Sequence, residues 1–562
     1  MYAVAFLFFS VSGKCQTYVT SATTSNIAIV SPNQVTNAPM AYDTDMSTFA
    51  VVNASSGLIA GALAYNGYIE LRYTSNVPAN TTSYVKIATE DNLLSSLLGG
   101  SLGNLLANVL GAVLLGKQEF TIDAKDGPAD TNVVLSGSSN VAGDFATDRL
   151  RIVRNAAGDY LVAITPSVPY NRIRITNRLG STLLGLGNTK TLKAFGAYYM
   201  SNTLACGNEP TFTSFSGSGV SLDLLNLSSE GVRNPERAID VDKNNFSTLN
   251  LGLLGVGATI EQTVYFEGLS QSTDVFGVGL SIGADLLELD VLANIKIIAS
   301  NGGTVVQTKT LSELLTLNLL TMTGGQRIMV PMTPGLPVDR ITVQFSSFLT
   351  VALVAQNLNF YGVKKALAMP NLTQNVAICQ GSTASLIATT TTGTSLKWYS
   401  DVGGTTLLAT RASGVVFETP VLSAPQTYYV SQISGTCEGL LRPVTVNVLT
   451  IPGAGSIAGE QTVCLGKPSG VLTSLSATGG EGISYQWESS LNEIDWTTIQ
   501  GANLAEYQPE SLLKTTFFRR ITTISSGATT CSSVPSNSIK ITVKNCVVIS
   551  NPMVRQRIKN GS

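Results

Sequence analysis

Two pairs of aspartates have the type and spacing that best suit chemistry in this chain. Asp43 and Asp45 stand two residues apart, as do Asp240 and Asp242. In an extended loop, two such carboxylates and the oxygens of Ser47, Asn244 or Thr248 begin a calcium shell. Calcium takes six to eight oxygen ligands, so backbone carbonyls complete the set. The competing reading is an Asx turn, in which aspartate bonds its own backbone two residues on. Either way the role is structural. Other chemistry is thinly provided for. The 562 residues include no histidine, which removes Ser-His-Asp and Cys-His catalysis and His-ligated zinc. Glu70, Glu261, Asp285, Glu288 and Asp290 are available as acid–base carboxylates, but nothing in their spacing makes them converge. Gly99-Gly100-Ser101-Leu102-Gly103 is glycine-rich yet lacks the Lys and Ser/Thr of a phosphate loop. The expectation is a protein that is not an enzyme.

Composition sets the frame that must position these residues. Hydrophobic residues make up 44% and charged residues 12%, about half the usual share, so disorder is excluded. At roughly 100–200 residues per domain the length predicts about three to five domains. The 34 basic and 36 acidic residues nearly cancel, which leaves no basic footprint for nucleic acid. Residues 1–15 open with the apolar run Ala3 to Val11, of signal-peptide length and too short to span a bilayer. Export is expected, with an extracellular or cell-surface location. Six of the seven cysteines then remain, an even count that suggests disulfides.

Internal repeats organise the chain. Asn37-Ala38-Pro39-Met40-Ala41-Tyr42-Asp43-Thr44-Asp45 is echoed by Asn234-Pro235-Glu236-Arg237-Ala238-Ile239-Asp240-Val241-Asp242. Pro169-Tyr170-Asn171-Arg172-Ile173 is echoed by Pro337-Val338-Asp339-Arg340-Ile341, and both copies close on a glycine, Gly196 and Gly362. Alternating Val/Ile/Thr/Tyr runs between Gly, Asn, Ser and Pro predict a β-sandwich for each copy. A second kind of repeat follows. Cys379, Lys397-Trp398-Tyr399, Tyr428-Tyr429 and Cys437 are matched by Cys464, Gln486-Trp487, Phe517-Phe518 and Cys531. Each tryptophan is placed to fill the space between two sheets, and each aromatic pair to send one ring inward and one outward. The repeat pairs Cys379 with Cys437 and Cys464 with Cys531. Cys206 and Cys546 are left to pair with each other, to pair between molecules, or to stay free.

The Ala-x-Asp-x-Asp blocks with their downstream Arg-Ile strands resemble the discoidin-like, galactose-binding-like jelly roll, in two copies over about residues 20–365. That resemblance implies a structural calcium ion in the aspartate loop. Thr48-Phe49 and Thr248-Leu249 stand where that family usually has a tryptophan. The cysteine, tryptophan and aromatic-pair series is similar to immunoglobulin-like modules of large secreted proteins of Bacteroidota, over about 372–545. The similarity implies spacing, display and adhesion. The expected all-β order is a signal peptide at 1–15, jelly-roll-like domains at 17–203 and 204–366, immunoglobulin-like domains at 372–449 and 453–545, and a tail at 546–562.

One segment stands out. Leu93 to Leu115 carries no charge, but its four glycines make a poor membrane helix. It reads as a partly helical insertion that covers its own sandwich or meets another subunit through Leu105 and Leu110. No membrane span is expected. Cys546-Val547-Val548-Ile549-Ser550 either extends the last sheet or adds to the edge of another copy. Trp496 is the best placed aromatic for a sugar, though hairpin packing suits it better. The reading of the whole is a cell-surface adhesin or display protein with a glycan or protein partner. A self-assembling subunit of an extracellular fibre or array is the alternative.

Overall fold

The computed structural model describes residues 16–546 except 27–32, 58–63, 92, 100–117, 142, 180–187, 202, 219–230, 243, 252–257, 284–288, 319–324, 348–356, 373–375, 392, 436 and 477–481. The chain is nearly all β and folds as two compact units. Residues 1–368 with 433–440 form the first, and 369–432 with 441–562 the second. Among the described residues no helix is long and apolar enough to cross a membrane.

Unit 1 holds two sandwiches, each made by period-2 strands that bury one face. In Tyr68–Val77 and Tyr170–Leu179, Ile69, Leu71, Tyr73, Ile173 and Ile175 point into the first core. Arg72 and Arg174 alternate with them on the other face. One sheet of this sandwich runs Ser21–Thr24, Tyr68–Val77, Tyr170–Leu179, Gln118–Lys125, Val133–Ser138. The other runs from Ala50–Ser55 through Thr189–Met200, Ser83–Thr89 and Tyr160–Ile164 to Leu150–Asn155. The second sandwich repeats the plan around its own core. Leu93–Leu98 is helical and buries Leu94, Leu97 and Leu98 in the first core, so this part of the apolar segment covers its own domain.

The two sandwiches are joined by backbone. Arg154 pairs with Thr213 and Asn155 with Phe212, which fuses a sheet from each into one of 14 strands. A separate apolar cluster fills the joint, where Tyr84 stacks on Phe212 at 4.4 Å beside Tyr198 and Tyr265. Beneath it lies Arg340, fully buried. Its guanidinium donates twice to Asp339 (both 2.9 Å), and also to the Asp148 carbonyl (2.7 Å) and Thr82 Oγ1 (3.0 Å) of the first sandwich. Burial works against that charge, and the Asp339 carboxylate more than offsets it, holding the Arg340 pKa above its usual range. Arg151 adds a bridge to Glu261 (3.2 Å). The turn at Gly302-Gly303 fits because it has no side chains. A Cβ on Gly302 would meet Thr165 Cγ2 at 2.9 Å, and one on Gly303 would run into Arg149. Ile433–Leu440 also packs in unit 1, where the Leu440 N–H donates to the Leu367 carbonyl (3.2 Å).

Unit 2 carries two small sandwiches, one after the other along the chain. In each, the strand that carries the first cysteine pairs in parallel with the last strand: Val376–Cys379 with Arg442–Leu449, and Gln461–Cys464 with Ile539–Lys544. Trp398 and Trp487 are wholly buried. Trp398 stacks on Phe417 at 4.9 Å, and Trp487 Nε1 donates to the Leu504 carbonyl at 2.9 Å. The aromatic pairs split as expected: Tyr428 and Phe518 face the cores, and Tyr429 and Phe517 are only half-buried.

Arg340→Ala strands the Asp339 carboxylate in the joint. Losing one partner of a buried pair costs about 3–5 kcal/mol, so calorimetry should show the unit 1 transition several degrees lower. Gly303→Val should act in the same direction. An unchanged transition for both would mean that the joint does not stabilise the unit.

Candidate functional site

The aspartate loops are built alike in the two sandwiches. Asn37 and Asn234 take left-handed backbone (φ 56° and 49°), which asparagine tolerates better than most residues. Each leads into a proline-bearing 3-10 turn, Ala38–Ala41 or Pro235–Ala238. The turn packs against a strand bulge at Gly196 or Gly362, where φ is 139° or 96°; a Cβ on Gly196 would stand 3.1 Å from the Ala41 carbonyl, and the Ala238 carbonyl leaves no room for one on Gly362. Beyond the turn the carboxylates close on their own loop. Asp43 Oδ1 accepts from the Asp45 N–H (3.0 Å), and Asp43 Oδ2 from the Thr48 hydroxyl (2.8 Å). Asp45 Oδ1 accepts from the Ser47 N–H (2.9 Å) and hydroxyl (2.7 Å), which holds its pKa below the usual range. In the second copy Asp240 accepts from the Asp242 N–H (3.0 Å) and Asn245 Nδ2 (2.8 Å), and Asp242 from the Asn244 N–H (2.9 Å). Each loop therefore brings its two aspartates together as successive Asx turns.

The other carboxylates have structural partners. Glu70 is buried and accepts from Lys125 (2.8 Å), Arg172 (3.1 Å) and Arg174 (2.9 Å). Glu261 holds Arg151 across the joint. Asp285 and Glu288 lie outside the described residues, as do Leu105, Leu110 and the tail beyond Cys546. Trp496 lies under the Arg519 guanidinium at 4.2 Å, and Arg519 pairs with Glu488 at 2.7 Å.

The four predicted cysteines are all in disulfides, but with other partners. The bonds are Cys206–Cys437, Cys379–Cys531 and Cys464–Cys546, with Cα–Cα distances of 5.7, 5.5 and 5.3 Å. Strand register forbids the expected pairs. Cys379 lies opposite Leu449, whereas the hairpin bearing Cys437 lies beyond the Val430–Arg442 pair, at the other end of the same strand. Arg442 to Leu449 alone spans about 23 Å at roughly 3.3 Å per residue. Likewise Cys464 lies at the Lys544 end and Cys531 opposite Ile524, with Thr516 to Ile524, about 26 Å, between them. A disulfide needs Cα atoms within about 7 Å. The leftover Cys546, two residues past Lys544, meets Cys464 instead. Cys379 reaches the hairpin of the next module, and there Thr529 Oγ1 also donates to the Ala377 carbonyl (2.9 Å).

One feature had no signal in the sequence. A small, half-open cleft lies in the second sandwich beside the aspartate loop, lined by Glu209, Ile239, Arg327, Tyr361, Val363 and Lys364. Its residues come from four separate segments, and only the strand register brings them together.

Comparison with known proteins places one module. Residues 368–449 match the family described as "Ig-like domain CHU_C associated", and 453–545 match a domain of unknown function (DUF8696). No curated protein matches the chain. Solved structures with some likeness include the fibronectin(III)-like modules of Clostridium thermocellum CbhA. That pair shares 16% identity, 32% of this chain and 95% of the other, with a TM-score of 0.22. Three N-terminal domains of the outer capsid protein Hoc of bacteriophage RB49 give 12%, 54%, 99% and 0.22. Titin domains A168–A170 give 13%, 56%, 98% and 0.22. Scores this low carry no argument. The family match and the buried tryptophan between two sheets together make residues 368–449 an immunoglobulin-like domain.

Peptide mapping of the unreduced protein should find Cys206–Cys437, Cys379–Cys531 and Cys464–Cys546. Recovery of Cys379–Cys437 or Cys464–Cys531 would overturn the register. Cys379→Ser opens a loop of 152 residues and should destabilise unit 2 by about 5 kcal/mol in the chain-entropy account, read by denaturant unfolding.

Proposed function

We propose that this chain is an exported, non-enzymatic display or adhesion protein of the cell surface. The observation that carries this reading is how its domains are joined. Consecutive sandwiches in unit 1 share one sheet, and consecutive modules in unit 2 are bonded through Cys379–Cys531. Joints that are paired or covalent resist the inter-domain motion that is otherwise the default. That property suits a protein that holds a surface in place. Three disulfides suit an oxidising compartment. In this reading the aspartate loops are structural, and calcium is their candidate ion, replacing the N–H partners that now close the turns.

A second reading, a self-assembling subunit, has one observation in its favour. Unit 2 leaves many large apolar side chains in water. Leu407 and Leu408 are on the edge strand Leu407–Ala412, and Ile494, Leu504 and Leu513 are over 70% exposed. Exposed apolar edges are sites of association.

Negative-stain microscopy of the native cells and of purified protein separates the two. Discrete particles are expected, and regular filaments or arrays would replace display with assembly. For the loops, a higher melting temperature in calcium than in chelator is expected, and it should vanish in Asp240→Ala/Asp242→Ala with Asp43→Ala/Asp45→Ala. Equal melting temperatures in the wild type would reduce both loops to turns.

A further inference from the structure

The hairpin cysteines of the two modules are bonded backwards along the chain. Cys531 lies opposite Ile524 in the hairpin of Thr516–Ser526 and Thr529–Ser532, and is bonded to Cys379 of the first module. Cys437 lies opposite Ser434 in the equivalent hairpin, and is bonded to Cys206. A cysteine at the Cys379 position is therefore the acceptor for the hairpin of a following module. Cys464 holds that position in the second module, because Val376–Cys379 and Gln461–Cys464 pair in the same register with their last strands. There Cys546 takes the place of a hairpin cysteine.

The rest of the acceptor face is repeated as well, and in the second module it is open. Both cysteine-bearing strands are edge strands of their sheets. In the first module the edge is covered. Thr529 Oγ1 donates to the Ala377 carbonyl (2.9 Å), and Cys531 is buried. Thr462 stands at the place of Ala377 and is exposed, and among the described residues no side chain bonds its carbonyl. Cys546 is exposed too. Beside each acceptor cysteine one backbone bond repeats: the Gly381 N–H donates to the Leu422 carbonyl (2.8 Å), and the Gly466 N–H to the Leu512 carbonyl (3.1 Å). The residues flanking that bond are Gln380 and Ser423 in the first module, where Gln380 Nε2 donates to the Ser423 carbonyl (3.4 Å). In the second they are Leu465 and Leu513, 49% and 73% exposed. Leucines left in water side by side mark a contact surface.

A second copy of this chain is a poor occupant, because both of its hairpin cysteines are already bonded. We infer that this face accepts the hairpin of an immunoglobulin-like module in a different protein, one with a reduced cysteine and a Thr or Ser two residues before it. The link becomes covalent by thiol–disulfide exchange. The partner's thiolate attacks Cys464 Sγ, the bond to Cys546 breaks, and Cys546 leaves as a thiolate that takes up the proton the partner lost. One thiol and one disulfide are consumed and one of each is formed, so no oxidant is needed. The inference rests on the display reading and names what is displayed. Its test reads disulfides alone, so its failure leaves that reading to the microscopy above.

The probe is a peptide of residues 523–532 of this chain, which carries Thr529 and Cys531. It is closed head to tail by an Asn-Gly turn that keeps Thr523 opposite Ser532. The reduced ring is incubated with the unreduced full chain at about pH 8, where an ordinary thiol is partly ionised. Free thiols are then alkylated and the peptides mapped. The ring is expected on Cys464, the alkyl label on Cys546, and the other two disulfides intact. A ring of the same residues in scrambled order should give about tenfold less adduct, and so should the intact ring on Leu465→Ser/Leu513→Ser, since burying a leucine contributes about that factor. An unchanged melting temperature checks the variant, and if the pair melts lower, Leu513→Ser alone carries the comparison. No adduct, an adduct on Cys546, equal yield from the scrambled ring, or full yield on the folded leucine variant would each overturn the site. A disulfide-linked dimer of the chain would overturn it too, by making a second copy the occupant.

Discussion

The buried pair of Arg340 with Asp339 constrains the whole of unit 1. A guanidinium taken out of water is tolerable only with a carboxylate beside it and its remaining donors satisfied. Two of those donor contacts, to the Asp148 carbonyl and Thr82, belong to the other sandwich. The second sandwich therefore cannot satisfy Arg340 alone. Joining the sandwiches satisfies the charge, closes the aromatic cluster around Tyr84 and aligns Arg154 with Thr213. These contacts have to form together, so the unit is more than two domains on a linker.

The matching residue of the first repeat shows how far the copies have diverged. Arg172 stands where Arg340 stands, yet it pairs with Glu70 within its own sandwich. There the segment Asp126–Asn132 folds over the same face, with the Pro128 carbonyl accepting from Lys125 and Asp130 from Arg174. In the second copy that connection shrinks to Gly302-Gly303, and the first sandwich takes its place. A longer loop closes one face, and a tight glycine turn opens the other to a neighbour.

Unit 2 solves the problem of small cores by cross-linking. Each module buries one tryptophan and a few aliphatic and aromatic neighbours. The parallel pairing of the cysteine-bearing strands with the last strands leaves Cys379 and Cys464 at equivalent ends. Only the second has a nearby cysteine in its own module. The first is bonded to the following module, so its disulfide acts between modules.

Much of this was legible in the residues themselves. The all-β class, the two kinds of repeat, the aspartate loops and the inward tryptophans follow from period-2 alternation, turn residues and spacing, which act within a few neighbours. The disulfide partners, the shared sheet, the fate of Arg172 against Arg340 and the cleft at Arg327 did not. Each depends on which strand end faces which. A cysteine's neighbour is set by register across a sheet, not by distance along the chain. The repeat suggested the same pairing in each module, but strand length carried those cysteines more than 20 Å apart. Local chemistry chose the elements, and long-range pairing chose their partners, because hydrogen-bonded strands fix positions that sequence separation leaves open.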